Sequence, residues 1–108
     1  MGPTDVKQTI AISSTDTLQK YVGTTATDIG VAKIKAIQAQ SSAANGSVKI
    51  YDAADATTAS TLVFEAKWGT ADNTEISIKV PGEGIYCDTG MYADLTNCDF
   101  LVVTGTFT

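Results

Sequence analysis

The chain contains no histidine, and that absence removes most nucleophilic catalytic arrangements. A Ser-His-Asp or Cys-His pair needs an imidazole to take the proton from its nucleophile. The many serines and threonines here have no such base beside them. Two cysteines, Cys87 and Cys98, supply too few ligands for a zinc site within one chain, so neither a metal nor a cofactor is expected. Charge is sparse as well. Charged residues make up 18% of the 108, below the ~25% of an average soluble domain. The seven basic residues are scattered and the net charge is −5. Such a chain offers no basic patch to displace phosphate counterions, so nucleic acid is not an expected partner. No segment approaches the ~20 apolar residues of a membrane helix, so a membrane is not expected either. Met1-Gly2-Pro3-Thr4-Asp5 lacks the basic and apolar regions of a signal peptide. Met-Gly is a poor myristoylation start when Pro3 follows and no basic cluster is near. The expectation is a protein made and kept in a cytoplasm, with Cys87 and Cys98 as reduced, partly buried thiols.

What is present points to strands. The length suits one domain with a single two-layer core. Threonine is frequent, and a β-branched polar residue suits the solvent face of a strand. Val6, Gln8, Ile10 and Ile12 share one face of a candidate strand, with a second short strand over residues 18–22 and a loop over 23–28. Residues 1–28 thus form either extra strands or an N-terminal arm that docks on a neighbour, with Val6, Ile10 and Ile12 as its apolar contacts. Residues 29–108 form the main domain. Residues 29–40 allow a short helix, because Val31, Ile34 and Ile37 are spaced by three. A strand is preferred, with Ala32, Ile34 and Ala36 on one face and Val31, Lys33, Lys35 and Ile37 on the other. Asn45-Gly46 signals a type I′ hairpin turn, which needs positive φ at both positions. Beyond it Val48 and Ile50 alternate with Lys49 and Tyr51. Asp52 and Asp55 lie in a small-residue loop that lacks the glycine and closing glutamate of a calcium hand. Leu62, Phe64, Ala66 and Trp68 share a face, a turn follows over residues 69–73, and Ile76, Ile78 and Val80 point inward before Pro81 ends their strand.

Residues 80–104 hold both cysteines, two of the four tyrosines and the one segment that looks like an enzyme motif, Asp88-Thr89-Gly90. An aspartic protease built as a dimer needs a long segment after that triad to form its flap and cleft, and only a short one follows here. A turn is the better account: Asp and Thr bond their own backbone and Gly supplies positive φ. Ile85 and Cys87 then alternate with Tyr86, and Met91, Ala93 and Leu95 with Tyr92 and Asp94. Thr96-Asn97 turns the chain into a last strand over 100–107. Six or seven short strands with glycine or asparagine turns describe an all-β antiparallel β-sandwich, jelly-roll-like. Tyr51, Tyr86 and Tyr92 are candidates for an exposed aromatic surface on one sheet, suited to a sugar face or to a subunit interface.

The order of these segments is S-V-K-I-Y-D-A at 47–53, L-V-F-E-A-K at 62–67, I-S-I-K-V-P-G-E-G-I at 76–85 and D-T-G-M-Y-A-D-L-T-N at 88–97. In that order it resembles the small β-sandwich virion structural proteins of tailed bacteriophages, over roughly residues 29–104. Met91 stands where leucine is expected. The resemblance implies a non-enzymatic virion component: a capsid decoration or cement protein, or a head-fibre or tail module. It implies the major capsid protein or another virion protein as partner, and homo-oligomers, trimers favoured. A tail or fibre adhesin would instead bind a host glycan through the tyrosines.

Overall fold

The computed structural model describes residues 7–69 and 75–108. Their strands in chain order are β1 (Lys7–Gln8), β2 (Asp16–Thr17), β3 (Gln19–Val22), β4 (Thr25–Asp28), β5 (Ala32–Ser41), β6 (Ser47–Tyr51), β7 (Leu62–Lys67), β8 (Glu75–Lys79), β9 (Ile85–Cys87), β10 (Tyr92–Thr96) and β11 (Cys98–Phe107). One turn of 3-10 helix, Ala56–Thr58, lies between β6 and β7. The first sheet runs β1-β11-β5-β8, with β9 pairing β5 beyond the end of β8. The second runs β2-β10-β6-β7, and β3 with β4 forms a separate two-stranded sheet. All pairings are antiparallel. Ile34, Ile37, Leu101 and Val103 of the first sheet and Val48, Ile50 and Ala93 of the second are fully buried in one core. The chain is an all-β antiparallel sandwich, as its alternation indicates. Each of these isoleucine, leucine and valine side chains contributes about 1.5–3 kcal/mol by leaving water.

The strands themselves depart from simple alternation at three places, and each departure moves side chains between faces. On β5, Thr104 stands opposite Ala36 and Gly105 opposite Ile34, so Lys35 is an extra residue with nothing opposite it. Ala32 and Ile34 point inward before the bulge, and Ile37 and Ala39 after it. The expected face Ala32, Ile34 and Ala36 is therefore wrong at its last member. The spacing by three of Ile34 and Ile37, which allowed a helix, reflects one extra strand residue. On β11, Asp99 is extra between the pairs Cys98↔Ser41 and Phe100↔Gln40. On β7, Val63 is extra between Ile50↔Phe64 and Tyr51↔Leu62. Phe64, Ala66 and Trp68 stay on the core side, but Leu62 is turned outward and is 45% exposed.

Two turn readings also change. Asn45 has φ 61, but Gly46 does not take positive φ. The loop carries the chain from one sheet to the other, so β5 and β6 are not a hairpin pair. Gly46 is required by crowding instead: a Cβ there would lie 2.7 Å from the Asn97 carbonyl. Asn97 Nδ2 in turn donates to the Ala44 carbonyl at 2.9 Å, and Trp68 N to the Gly46 carbonyl at 2.9 Å. Residues 25–28, expected as loop, form β4 because Gly23 (φ 65) turns β3 back on itself. Most of the turn expected over residues 69–73 lies outside the described residues.

Of the described part of residues 1–28, β1 and β2 lie on the domain's two main sheets, whereas β3 and β4 pair only with each other. Lys7 and Gln8 pair with Gly105 and Thr104, and Asp16 and Thr17 with Ala93 and Tyr92. The expected shared face does not hold, because Thr9 rather than Gln8 turns inward. Thr9 N donates to the Val103 carbonyl at 2.8 Å, and its hydroxyl accepts from Val103 N at 3.0 Å. Ile10 N then turns to the Gln19 carbonyl.

At the β5 bulge, a Cβ on Gly105 would collide with the Lys33 carbonyl, whereas one on Gly30 would make ordinary contact with Thr108 Oγ1 at 3.5 Å. Gly105→Ala is expected to lose about 1–3 kcal/mol in urea unfolding. Gly30→Ala should stay within about 0.5 kcal/mol of the parent.

Candidate functional site

On the outer face of the second sheet, register places Tyr92 between Thr17 and Tyr51, and Tyr51 between Tyr92 and Leu62. The two tyrosine rings have centroids 6.5 Å apart and a 46° tilt, an arrangement aromatic quadrupoles favour. Thr17, Tyr92, Tyr51 and Leu62 thus form a row across β2, β10, β6 and β7. Beside it Asp94 faces Lys49, and Lys49 faces Glu65. Thr15 Oγ1 donates to Asp94 Oδ1 at 3.2 Å, and Lys67 Nζ lies 3.7 Å from Glu65 Oε2. The result is an apolar row with a polar border, suited to stacking or packing contacts. Alternation alone locates both tyrosines. Leu62 was missed, since only the Val63 bulge brings it to this face.

The remaining candidates are elsewhere. Tyr86 is on β9 of the first sheet, opposite Lys33, and is 53% exposed. Its hydroxyl donates to Asp88 Oδ1 at 3.4 Å. The three tyrosines do not share a sheet, because β9 pairs with β5 rather than with β6 or β10. Ile10 and Ile12 are half-buried, and Ile12 packs on the core and bridges to Leu101. Val6 lies outside the described residues.

Asp88-Thr89-Gly90 is a turn, and its anchor is Asp52. Thr89 N donates to Asp52 Oδ1 at 2.8 Å. Burial pushes the Asp52 carboxyl up, but the backbone N–H groups of Thr89, Asp88 and Gly90 outweigh that and hold it below its ordinary value. Gly90 lets the turn close on its surroundings, since a Cβ there would lie 2.9 Å from the Ile29 carbonyl and 3.0 Å from that of Ala53. The Asp52 loop was legible as a loop, but not as the partner of a turn so distant in sequence. On the first sheet, Lys33 Nζ lies 3.1 Å from Glu83 Oε1, and that bond, with the charges of Lys33 and Lys35, lowers the Glu83 carboxyl.

Cys87 and Cys98 are both free and buried. Cys87 stands opposite Ala32 and Cys98 opposite Ser41, at the two ends of β5. Nine strand steps separate those positions, about 30 Å, far beyond a disulfide's reach. Burial, with a smaller contribution from the Asp52 charge, pushes the Cys87 thiol up to about 12, and burial raises Cys98 as well. Among the described residues, no group of three or more His, Cys, Asp or Glu side chains is placed to hold a metal, and no helix is long and apolar enough to cross a membrane.

Comparison with protein-family models, curated proteins and solved structures finds no match.

Asp52→Ala should cost about 1 kcal/mol at pH 7, measured by urea unfolding, because three N–H groups lose a charged acceptor at a half-buried site. The native Asp52 pKa is depressed, so its contribution is full above the ordinary aspartate value and is lost as pH falls through the native one. The difference between parent and variant should therefore shrink in acid. Thiol titration should find both cysteines slow to react at pH 8 in the folded protein, Cys87 the slower, and fully reactive in denaturant.

Proposed function

We propose that this protein is a non-enzymatic structural component of a tailed-bacteriophage virion, decorating or cementing the capsid as a homo-oligomer. The observation that carries the proposal is the order of the four segments in which the chain resembles such proteins. They occupy β6, β7, β8 with the turn into β9, and the 88–90 turn with β10, so they form consecutive parts of one sandwich. The mechanism is adhesion. A module that touches the major capsid protein at many equivalent positions gains affinity by multivalency, even when each contact is small. Backbone and apolar groups on the sheet faces supply those contacts, and an acidic, sparsely charged surface keeps the free module soluble.

A second reading has its own support. The Tyr51–Tyr92 pair with Leu62 forms an apolar row on an open sheet face. Such a row suits a tail or fibre module that stacks on a host glycan or packs on another tail protein.

Co-sedimentation of the purified protein with decoration-stripped capsids separates the two. Saturation at a copy number matching the shell's lattice sites is the expected result. Absence of binding would overturn the decoration role. Glycan binding abolished by Tyr51→Ala and Tyr92→Ala, with no capsid binding, would establish the adhesin.

A further inference from the structure

Among the described strands, the two packed sheets end on β1, β2, β7 and β8, with the three-residue β9 beyond β8, and every one of these edges but β8 is a poor template for another strand. The β1 and β2 edges are two residues long. The β7 edge is broken by the Val63 bulge. Short and bulged edges are the usual protections against unwanted pairing. β8 has neither: it is five residues of unbroken register against β5, and no described strand pairs with its other side.

The backbone groups of that free side can be assigned from the neighbouring bonds. Val80 N donates to the Lys35 carbonyl at 2.8 Å. Strand groups alternate in direction, so Val80, Ile78 and Ile76 turn their N–H and C=O toward β5. Those of Glu75, Ser77 and Lys79 face outward. The far side of the sheet agrees. Val103 and Leu101, opposite Ile37 and Ala39, spend their backbone bonds on Thr9 and Ile12, away from β5. Ile37 and Ala39 are thereby left to bond with Ile78 and Ile76, their partners across β8.

The sequence of β8 is Glu-Ile-Ser-Ile-Lys, whose charges are complementary to themselves when the strand is reversed. We propose that β8 is the contact strand of a two-fold symmetric dimer, pairing antiparallel with β8 of a second copy in the register centred on Ser77. In that register Glu75 stands beside the partner's Lys79, Ser77 beside the partner's Ser77, and Lys79 beside the partner's Glu75. These are the residues whose backbone groups face outward, so each pair exchanges both N–H···O bonds. The register that matches the charges is also the register that satisfies the backbone. Neither Glu75 nor Lys79 has an ion-pair partner among the described residues, and Ile76 and Ile78 are only half-buried although Ala39 and Ile37 beside them are fully buried. Pairing covers both isoleucines and joins two five-stranded sheets into one. Pro81, lacking an N–H, limits the ladder to this window. A two-fold contact closes with two copies and does not propagate into a fibre.

The contact is small, so a dissociation constant of about 10–100 µM is expected. Sedimentation equilibrium on the full chain, up to about 1 mM, tests it without any capsid, and the outcome is independent of the virion assignment. Glu75→Lys and Lys79→Glu each set like charges against one another and should weaken dimerisation about tenfold or more. The double variant Glu75→Lys, Lys79→Glu should restore it. Amide hydrogen exchange on the unaltered protein needs no variant. Protection at Glu75, Ser77 and Lys79 should rise with concentration, while Ile76 and Ile78 stay protected throughout. A monomer at every concentration, a dimer indifferent to the charge reversals, or outward amides that exchange equally fast at all concentrations would overturn the proposal.

Discussion

Lys35, the extra residue in β5, is where the five-stranded sheet bends, and its neighbours on both sides are shaped by that bend. Toward β11, the Lys33 carbonyl is carried so close that only glycine fits at residue 105. Toward the other side, the Ile34 carbonyl approaches Gly84, which takes φ 85 and would collide with it if it bore a Cβ. The strand that would otherwise run the length of β5 is divided there into β8 and β9, joined by Pro81-Gly82-Glu83-Gly84. Lys35 Nζ then reaches over the break to the Gly82 carbonyl at 3.0 Å, and Lys33 to Glu83. A bulge raises local twist and bends the strand that carries it. Two glycines, a proline and two lysines thus answer one geometric event.

That event explains which parts of the fold were legible in the residues. Strict alternation located the strands and most of their inward faces, because burial of one face selects period two. It failed beside two of the three bulges: at Ala36 and Ile37, and at Leu62. An inserted residue flips everything beyond it, and alternation holds no record of where the insertion lies. A signal was nonetheless present. Gly105 interrupts a run of β-branched and aromatic residues, and glycine inside a strand marks a bulge or a close backbone approach. Asn45-Gly46 misled for a related reason: its preference for a tight turn is local, whereas the contact that requires Gly46 comes from Asn97, far along the chain.

The candidate surface was legible to the same degree. Alternation says which side of a strand a tyrosine occupies, but not which sheet the strand joins. Tyr51 and Tyr92 came together because β6 and β10 pair directly, while Tyr86 lies on β9, which pairs with β5 of the other sheet. Asp52 shows the same limit from the other direction. Its role as acceptor for the 88–90 turn depends on β6 and β10 being neighbours, a non-local fact that no local propensity encodes.

The division of β8 from β9 also bears on how the sandwich manages its edges. Had the strand continued past residue 80, the open side of β5's neighbour would have been a long straight template, the kind that pairs without limit. The proline and the turn cut it to five residues, and the charges at its two ends favour one partner orientation. A reversed copy meets opposite charges at both ends, whereas a parallel copy in register sets glutamate against glutamate and lysine against lysine. The bend at Lys35 therefore does two things at once. It curves the sheet over its core, and it leaves a short edge whose own sequence discriminates among strands that could join it.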